Sequence, residues 1–439
     1  MTWLGRLTGL FLLCGWSLSC SHETTYRFVN TLSDVEPSAA RPLAVENGLL
    51  DALDIAGIEP AVRRLAAPEM EGRRQGTPGN ARARAYIVSR LRHAGLAPLF
   101  QGAFEQPTFL EGSGGQPYAV NVGAYLPAAE PTTAWIVLVA HYDHLGTIRG
   151  SVYAGADDNA GAVAMLLALA DTLGHTRPSL HRHVVLLFSD AEEPPNIRTD
   201  RMGSAWFWRH PPFPLTALHC ALVFDLLAGP ATPGARGAEL DHAIFVLGAE
   251  ASPGLARLAR GVPPETGVEP LLLGLPLIEA YPFSPGRRFA QSDYHGLREQ
   301  GRRPFLFITG GRASTYHTAE DTPDTLDYTK LARLTRWVTR LLVHTAEDPH
   351  DLGWTDLVAD PLADARAILR VYAATGTGSQ FPWLLRRALV ADHARVRALV
   401  QAWEAGAPPA AAEYRELTLM ALRLQGALWH PAGWWFALW

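Results

Sequence analysis

The run Trp135-Ile136-Val137-Leu138-Val139-Ala140-His141-Tyr142-Asp143-His144 sets six apolar residues directly before a polar cluster. An unbroken apolar run of strand length is the pattern of a strand covered on both faces, as in a parallel sheet between helix layers. The polar cluster then falls at the carboxyl end of that strand, where open α/β sheets gather their ligands. Working outward, helical periodicity is read at 160–173 and strands at 183–189, 218–226, 243–247 and 304–309, with a helix at 328–344. Upstream, a helix begins at Thr77-Pro78, runs through Tyr86, Ile87 and Leu91 and stops at Gly95, with proline at its start and glycine at its end. A strand follows at 118–126. The alternation over about residues 80 to 346 predicts an α/β domain.

The rest of the composition narrows the function. The chain has 439 residues, with 38 Lys+Arg against 43 Asp+Glu and a formal net charge of -5. Such a mildly acidic balance offers no general attraction for polyphosphate, so nucleic acid is not an expected partner. Lys330 is the only lysine and sits in a stretch read as an ordinary amphipathic helix, which disfavours Schiff-base and Ser-Lys chemistry. Cys14 and Cys20 lie near the start, leaving Cys220 as the only thiol in the body. That excludes a disulfide framework and a cysteine zinc site.

Residues 1–20 read as a signal peptide: Arg6, an apolar stretch too short to span a bilayer, and Ser17-Leu18-Ser19 before Cys20. The protein is therefore expected to be exported, as a periplasmic, lipoprotein-anchored or secreted chain. Membrane association is expected only through lipidation of Cys20. The catalytic domain is assigned to 21–346. Residues 347–439 carry helical periodicity with no strand signal and read as a helical extension. Its aromatic tail, Trp429 to Trp439, is expected to dock on that extension or on the catalytic domain.

Polar residues recur at strand ends. His141 and Asp143 share strand parity, so the carboxylate can lie beside the imidazole, as a metal-bound histidine requires to fix its tautomer. Gly155-Ala156-Asp157-Asp158-Asn159 places adjacent carboxylates before a helix, where capping alone is the ordinary explanation. The strand at 183–189 runs into Asp190-Ala191-Glu192-Glu193, the next ends in Asp225, and His317 follows the strand near Phe307. Five candidate ligands thus converge on one sheet edge: His141, Asp158, Glu193, Asp225 and His317. Two divalent ions sharing a carboxylate need about this set, and mixed imidazole and carboxylate ligation favours zinc over magnesium.

With these residues in place, the chain from about 66 to 346 resembles the secreted two-zinc aminopeptidases of metallopeptidase clan MH, the superfamily that includes glutamate carboxypeptidase II and glutaminyl cyclase. The resemblance opens at Met70-Glu71-Gly72-Arg73-Arg74-Gln75-Gly76-Thr77-Pro78-Gly79-Asn80 and runs through His141-Tyr142-Asp143, Asp157-Asp158-Asn159, Glu192-Glu193, Asp225 and Tyr316-His317-Thr318 with Asp321-Thr322. It implies a zinc exopeptidase fold: a mixed, largely parallel central sheet flanked by helices, here with a C-terminal helical appendage. It also implies two Zn2+ ions, with Asp158 bridging them through a residue whose bond to Asn159 is cis. Asp143 would orient His141, and Glu192 would be the general base that activates water. Peptides with a free N-terminus are the implied substrates. The same resemblance leaves open a single-zinc glutaminyl cyclase, an inactive interaction domain, and a carboxypeptidase or dipeptidase. Two departures stand out. The segment Pro194 to Met202 is longer than the family's usual turn and would reshape one wall of the cleft, and Ser292-Asp293-Tyr294 replaces the common Ser-Asp-His.

Overall fold

The computed structural model describes residues 25–31, 43–110, 114–229, 240, 242–280, 289–300, 303–375 and 381–429. Its strands are β1 (Arg27–Phe28), β2 (Ala97–Pro98), β3 (Glu105–Phe109), β4 (Pro117–Leu126), β5 (Trp135–His141), β6 (Gly146–Ile148), β7 (Ser151–Tyr153) and β8 (His183–Ser189). They continue as β9 (Leu218–Asp225), β10 (Ala243–Leu247), β11 (Glu269–Leu273), β12 (Phe305–Thr309) and β13 (Val358–Ala359). The helices are α1 (Leu43–Ala52), α2 (Ile58–Leu65), α3 (Pro78–His93), α4 (Gly161–Thr176), α5 (Gly203–Arg209) and α6 (Pro253–Gly261). The remainder are α7 (Leu275–Glu279), α8 (Tyr294–Glu299), α9 (Tyr328–Glu347), α10 (Pro361–Thr375), α11 (Trp383–Glu404) and α12 (Ala411–Trp429).

One sheet organises the molecule, in the order β11-β10-β12-β9-β5-β8-β4-β2, with β3 on β4. Its centre, β12-β9-β5-β8, is parallel, while β4 and β10 run antiparallel to their neighbours β8 and β12. This is the mixed, largely parallel sheet expected from the sequence. In β5, Ile136 to Ala140 are wholly buried, as the unbroken apolar run requires. On one face α4 is buried nearly all round and packs against α2, α3 and α9. Thr77 caps α3 by accepting the Asn80 N–H at 3.3 Å, with Pro78 at its first position.

The parallel register aligns four carboxyl ends. His141 pairs with Ser189 across β5 and β8, and Thr309 pairs with Asp225 across β12 and β9. The loops that leave these strands therefore start at one edge, which is what brings residues more than 170 positions apart into one site.

Helices α10, α11 and α12 form a second core that also takes in Leu240, Ala243 and Leu277. They cover the β10–β11 side of the sheet, with α10 against β11. The expectation of helix alone beyond 347 is corrected here. Val358–Ala359 forms a parallel pair with Arg27–Phe28, too short to leave a periodic signal. Lys330 lies in the helix α9, as read from the sequence, and is 1% exposed. No described helix is long and apolar enough to cross a membrane. The signal segment, Cys20 and residues 430–439 of the aromatic tail lie outside the described residues.

Candidate metal centre

The strand tips bring all five predicted ligands together, and Asp158 lies between two groups of donors. On one side, His141 Nε2 is 3.5 Å from Asp158 Oδ1 and 3.5 Å from Asp225 Oδ1. On the other, His317 Nε2 is 3.2 Å from Asp158 Oδ2 and 3.0 Å from Glu193 Oε2. Donors on a tetrahedral ion with bonds of about 2.0–2.2 Å stand roughly 3.3–3.5 Å apart, so these spacings fit one zinc-sized ion on each side. The two Asp158 oxygens face different groups, the arrangement a bridging carboxylate requires.

Burial makes the case for cations stronger. His141, Asp158, Glu192, Glu193 and Asp225 are all buried. Yet His141 Nε2, His317 Nε2, Asp225 Oδ1 and Glu192 Oε1 have no hydrogen-bond partner. Buried polar atoms left unpaired are costly, and four that converge on one cluster point to a ligand of positive charge. The titration directions agree. Burial opposes charge on His141, but Glu192, Asp143 and Asp225 outweigh it and hold the imidazole well above its usual value. His317 is likewise pushed up to about 10, its burial overridden by Asp158 and Glu193. Burial raises the Glu192 carboxyl well above the carboxylate range, with Glu193 and Asp225 adding to the effect against His141. The cluster holds protons because it is short of positive charge, and divalent cations would supply that charge instead.

Asp143 departs in detail from its expected role. Its carboxylate is 3.7 Å from His141 Nδ1, too far for a hydrogen bond. The ring nitrogen instead lies 3.2 Å from the Asp143 carbonyl oxygen. A proton on Nδ1 donating there would leave Nε2 to face an ion between Asp158 and Asp225, so the Asp143 carbonyl is placed to set the tautomer of a metal-bound ring. Its carboxylate accepts the N–H groups of Glu192 at 3.0 Å and Glu193 at 3.2 Å. Asp143 thus fixes the directions of the two glutamates, which leave the end of β8 on divergent courses.

The loop around Asp158 is fastened from several sides. The Asp158–Asn159 peptide is cis, as the resemblance implied. Asp321 accepts the N–H of Asp157 at 2.8 Å and of Asp158 at 3.1 Å, while Asp157 Oδ1 accepts from Ala228 and Gly229 at 2.8 Å each. Ser292 donates to Asp225 Oδ2 at 2.9 Å.

Two residues quoted in the sequence motifs, but given no role there, prove central to the site. His144 is buried, and its Nδ1 lies 2.6 Å from Glu193 Oε1. Burial, against the pull of Asp158, drives its pKa down to about 3, so the neutral ring donates to the carboxylate oxygen that faces away from His317. His144, Asp158 and Glu193 together also form a buried group of metal-binding chemistry. Gly155, at φ 58°, gives the ring room, because a Cβ there would meet His144 Cγ at 2.5 Å and the Asp158 carbonyl at 2.2 Å. The available signal was a second imidazole three residues past the first at one strand tip. Arg73 is 1% exposed and donates to the carbonyls of Tyr142, Leu65, Ala154 and Gly155 at 2.7–2.8 Å. Burial lowers its pKa to about 10, which leaves it charged at neutral pH beneath the carboxylates.

Residues 121–342 match the profile of peptidase family M28. A curated protein of Escherichia coli strain K12, "Uncharacterized protein YfbL", is 30% identical over 248 residues, 53% of this chain and 72% of that protein. Among solved structures, the Legionella pneumophila LapA aminopeptidase superposes with a TM-score of 0.52 at 14% identity, over 77% of this chain and 80% of that one. Porphyromonas gingivalis glutaminyl cyclase does so with a TM-score of 0.50 at 18% identity, over 66% and 98%. At such identities the two structures attest the shared fold.

Proposed function

The chain belongs to peptidase family M28, a family of zinc-dependent peptidases, and from that premise we propose that it is a dinuclear zinc aminopeptidase acting on peptides with a free N-terminus. The observation that carries the reading is Asp158, whose two oxygens serve two separate buried donor groups. Two groups sharing one carboxylate favour two ions over the single ion of a glutaminyl cyclase, and the filled ligand positions speak against an inactive relative.

His141, Asp158 and Asp225 would hold one ion, and His317, Asp158 and Glu193 the other. When bound, the zinc pair supplies a Lewis acid for the scissile carbonyl and lowers the pKa of water to about 7. Glu192 is the general base: its Oε1 is buried without a partner beside the two donor groups, where it can take a proton from water and return it to the leaving amine. Asp143 keeps Glu192 and Glu193 in these separate roles through their backbone N–H groups. The surplus of carboxylates suits a substrate that brings its own cation, a free α-amino group. Export through residues 1–20 belongs to the same proposal, and the N-terminal sequence of the protein recovered from the producing cell tests it.

The decisive experiment pairs metal analysis of the purified protein with hydrolysis of free and N-acetylated aminoacyl anilides. Two zinc ions per chain and cleavage of the free substrates alone are expected. One zinc with cyclisation of N-terminal glutamine would overturn the reading, as would cleavage of the blocked substrates.

A further inference from the structure

Gln291 is the acceptor for two guanidinium groups that arrive from separate loops. Arg198 Nη2 and Arg312 Nη2 each lie 3.1 Å from Gln291 Oε1. Arg198 comes from the long segment after Glu193. It ties that segment to the opposite wall through Nε, which donates to the Ala290 carbonyl at 2.9 Å, and it lies over the Phe289 ring. The segment itself is held by Tyr118, which donates to Asn196 Oδ1 at 2.5 Å. Arg198 makes no ion pair with any described carboxylate, and its side chain is exposed.

The pair stands at the rim of the metal centre. Ser292, next in sequence to Gln291, donates to Asp225 Oδ2. Arg312 lies over Tyr316, 5.0 Å from the ring centre, and Tyr316 stacks on His317 with centroids 3.8 Å apart. One guanidinium therefore adjoins the His317 side, while the amide that both share adjoins the Asp225 side. A neutral amide oxygen is a weak acceptor for the Arg198 guanidinium, which has no described carboxylate partner. A carboxylate offers two oxygens and a full negative charge, and its match to guanidinium forks gives shorter and stronger bonds.

We infer that Arg198, Arg312 and Gln291 form a carboxylate-binding subsite on the leaving-group side of the centre. It selects substrates whose residue after the scissile bond carries a carboxylate, either the C-terminus of a dipeptide or an Asp or Glu side chain. The inference rests on the aminopeptidase reading for the placement of the substrate. In this arrangement the free amine meets the buried carboxylates and the substrate's own carboxylate meets the rim, so one short peptide satisfies both charge patterns.

The zinc-loaded protein is to be assayed with Ala-Ala, Ala-Ala amide, Ala-Glu amide and Ala-Gln amide. A charge-assisted contact is expected to favour the acids over their neutral counterparts by about 10- to 100-fold in kcat/KM, mainly through KM. A preference for Ala-Ala alone identifies the terminal carboxylate as the ligand, and one for Ala-Glu amide alone identifies the side chain. Both support the subsite. Arg198→Gln and Arg312→Gln keep amide donors but lose the charge, and each should shrink the acid-to-neutral ratio. Calorimetry on zinc-loaded Glu192→Gln with the same four peptides reads binding without turnover. Equal values for all four peptides, or a ratio that survives both arginine replacements, would overturn the subsite. If the peptides bind in the expected order but none is cleaved by the wild type, the aminopeptidase reading fails and the subsite stands.

Discussion

Two regions of this protein that bury carboxylates, the sheet's carboxyl edge and the ground beneath the C-terminal helices, treat them in opposite ways. Under the helices Asp360, Asp364 and Asp392 each have donors of their own. Asp364 accepts the Gly274 N–H at 2.6 Å and the Tyr414 hydroxyl at 2.8 Å. Asp392 pairs with Arg423 at 2.5 Å, and Asp360 accepts the N–H groups of Thr31 at 2.8 Å and Ala363 at 3.0 Å. At the sheet edge, Asp225 and Glu192 each keep an oxygen without a partner, and His141, His144 and His317 each keep an Nε2 without a hydrogen-bond partner. Satisfied burial specifies a packing arrangement, whereas unsatisfied burial that converges on one point prepares for a ligand. What separates structure from function here is the accounting of donors, since the residue types are the same.

The largest effect that would sharpen this contrast is catalytic. Glu192→Gln is expected to lower kcat by about 10²–10⁴ while keeping both zinc ions, as loss of a general base does. Glu193→Gln is expected to lose metal along with activity. Zinc content and steady-state rates on the two variants check this, and the assignment is inverted if Glu192→Gln is the one that loses zinc.

Next in size is the linkage between metal and stability. Zinc at a thousandfold excess over its dissociation constant should stabilise the fold by about 4 kcal/mol per independent site. Chelation should therefore lower the melting temperature and added zinc restore it. Asp158→Ala should abolish most of that zinc-dependent gain, because both ions lose a ligand. A variant that still binds two zinc ions would refute the shared carboxylate.

His144 offers a finer test. Removing a group that orients a ligand costs about 10- to 100-fold in metal affinity. His144→Ala should weaken one ion of the two and leave the other in place. His144→Asn, whose amide nitrogen can take the position of Nδ1, should recover most of the loss, whereas His144→Gln should not. Competition with a chromophoric chelator measures both sites. Equal affinities in all three variants would remove His144 from the centre.

The smallest effects belong to the helical region. Tyr414→Phe leaves a buried Asp364 oxygen unpaired and should cost about 1–3 kcal/mol of stability, with zinc content and kcat unchanged. Burial, with Glu250 nearby, holds the Asp364 carboxyl well above its usual range. A carboxyl raised by folding binds its proton more tightly in the native state. Its contribution is complete below the ordinary carboxylate range and is lost as pH rises through the folded value. Asp364→Asn should flatten that part of the stability profile, and thermal melts across pH read the difference.

Four of the candidate ligands, His141, Glu193, Asp225 and His317, were legible because they come after apolar strands, whose ends are marked by hydrophobic patterning, whereas Asp158 was marked by the doubled aspartate before a helix. β5, β8, β9 and β10 could be located to within a residue or so for the same reason. Arg73 carries no such mark, and the strand tip that marks His144 does not show what its ring meets. The role of His144 depends on the path of the Glu193 side chain, and that of Arg73 on four carbonyls from three separate segments. Lys330 was placed correctly in a helix, but its burial was not legible, because helical periodicity does not report what lies against a residue. In α9 that residue sits under the Asp157 loop, where its charge lowers the Asp157 carboxyl against a larger effect of burial. β11 was missed for another reason: Pro270 interrupts its start, and Leu271 to Leu273 merge with the apolar residues of α7, so no bounded strand stands out.

The pairing of β1 with β13 has a consequence for how the chain is made. Arg27 N–H reaches the Leu357 carbonyl and Val29 N–H the Ala359 carbonyl, both at 2.9 Å, while Tyr26 and Phe28 pack against Tyr414 at centroid separations of 5.8 and 5.5 Å. A ribosome finishes the first of these partners more than 300 residues before the second. Through nearly all of synthesis the aromatic residues at the beginning have no place to go, and the sheet must assemble without them. The clasp closes last. A shortened chain ending at 346 would carry Tyr26 and Phe28 permanently in water, and solubility is where that truncation should be felt first.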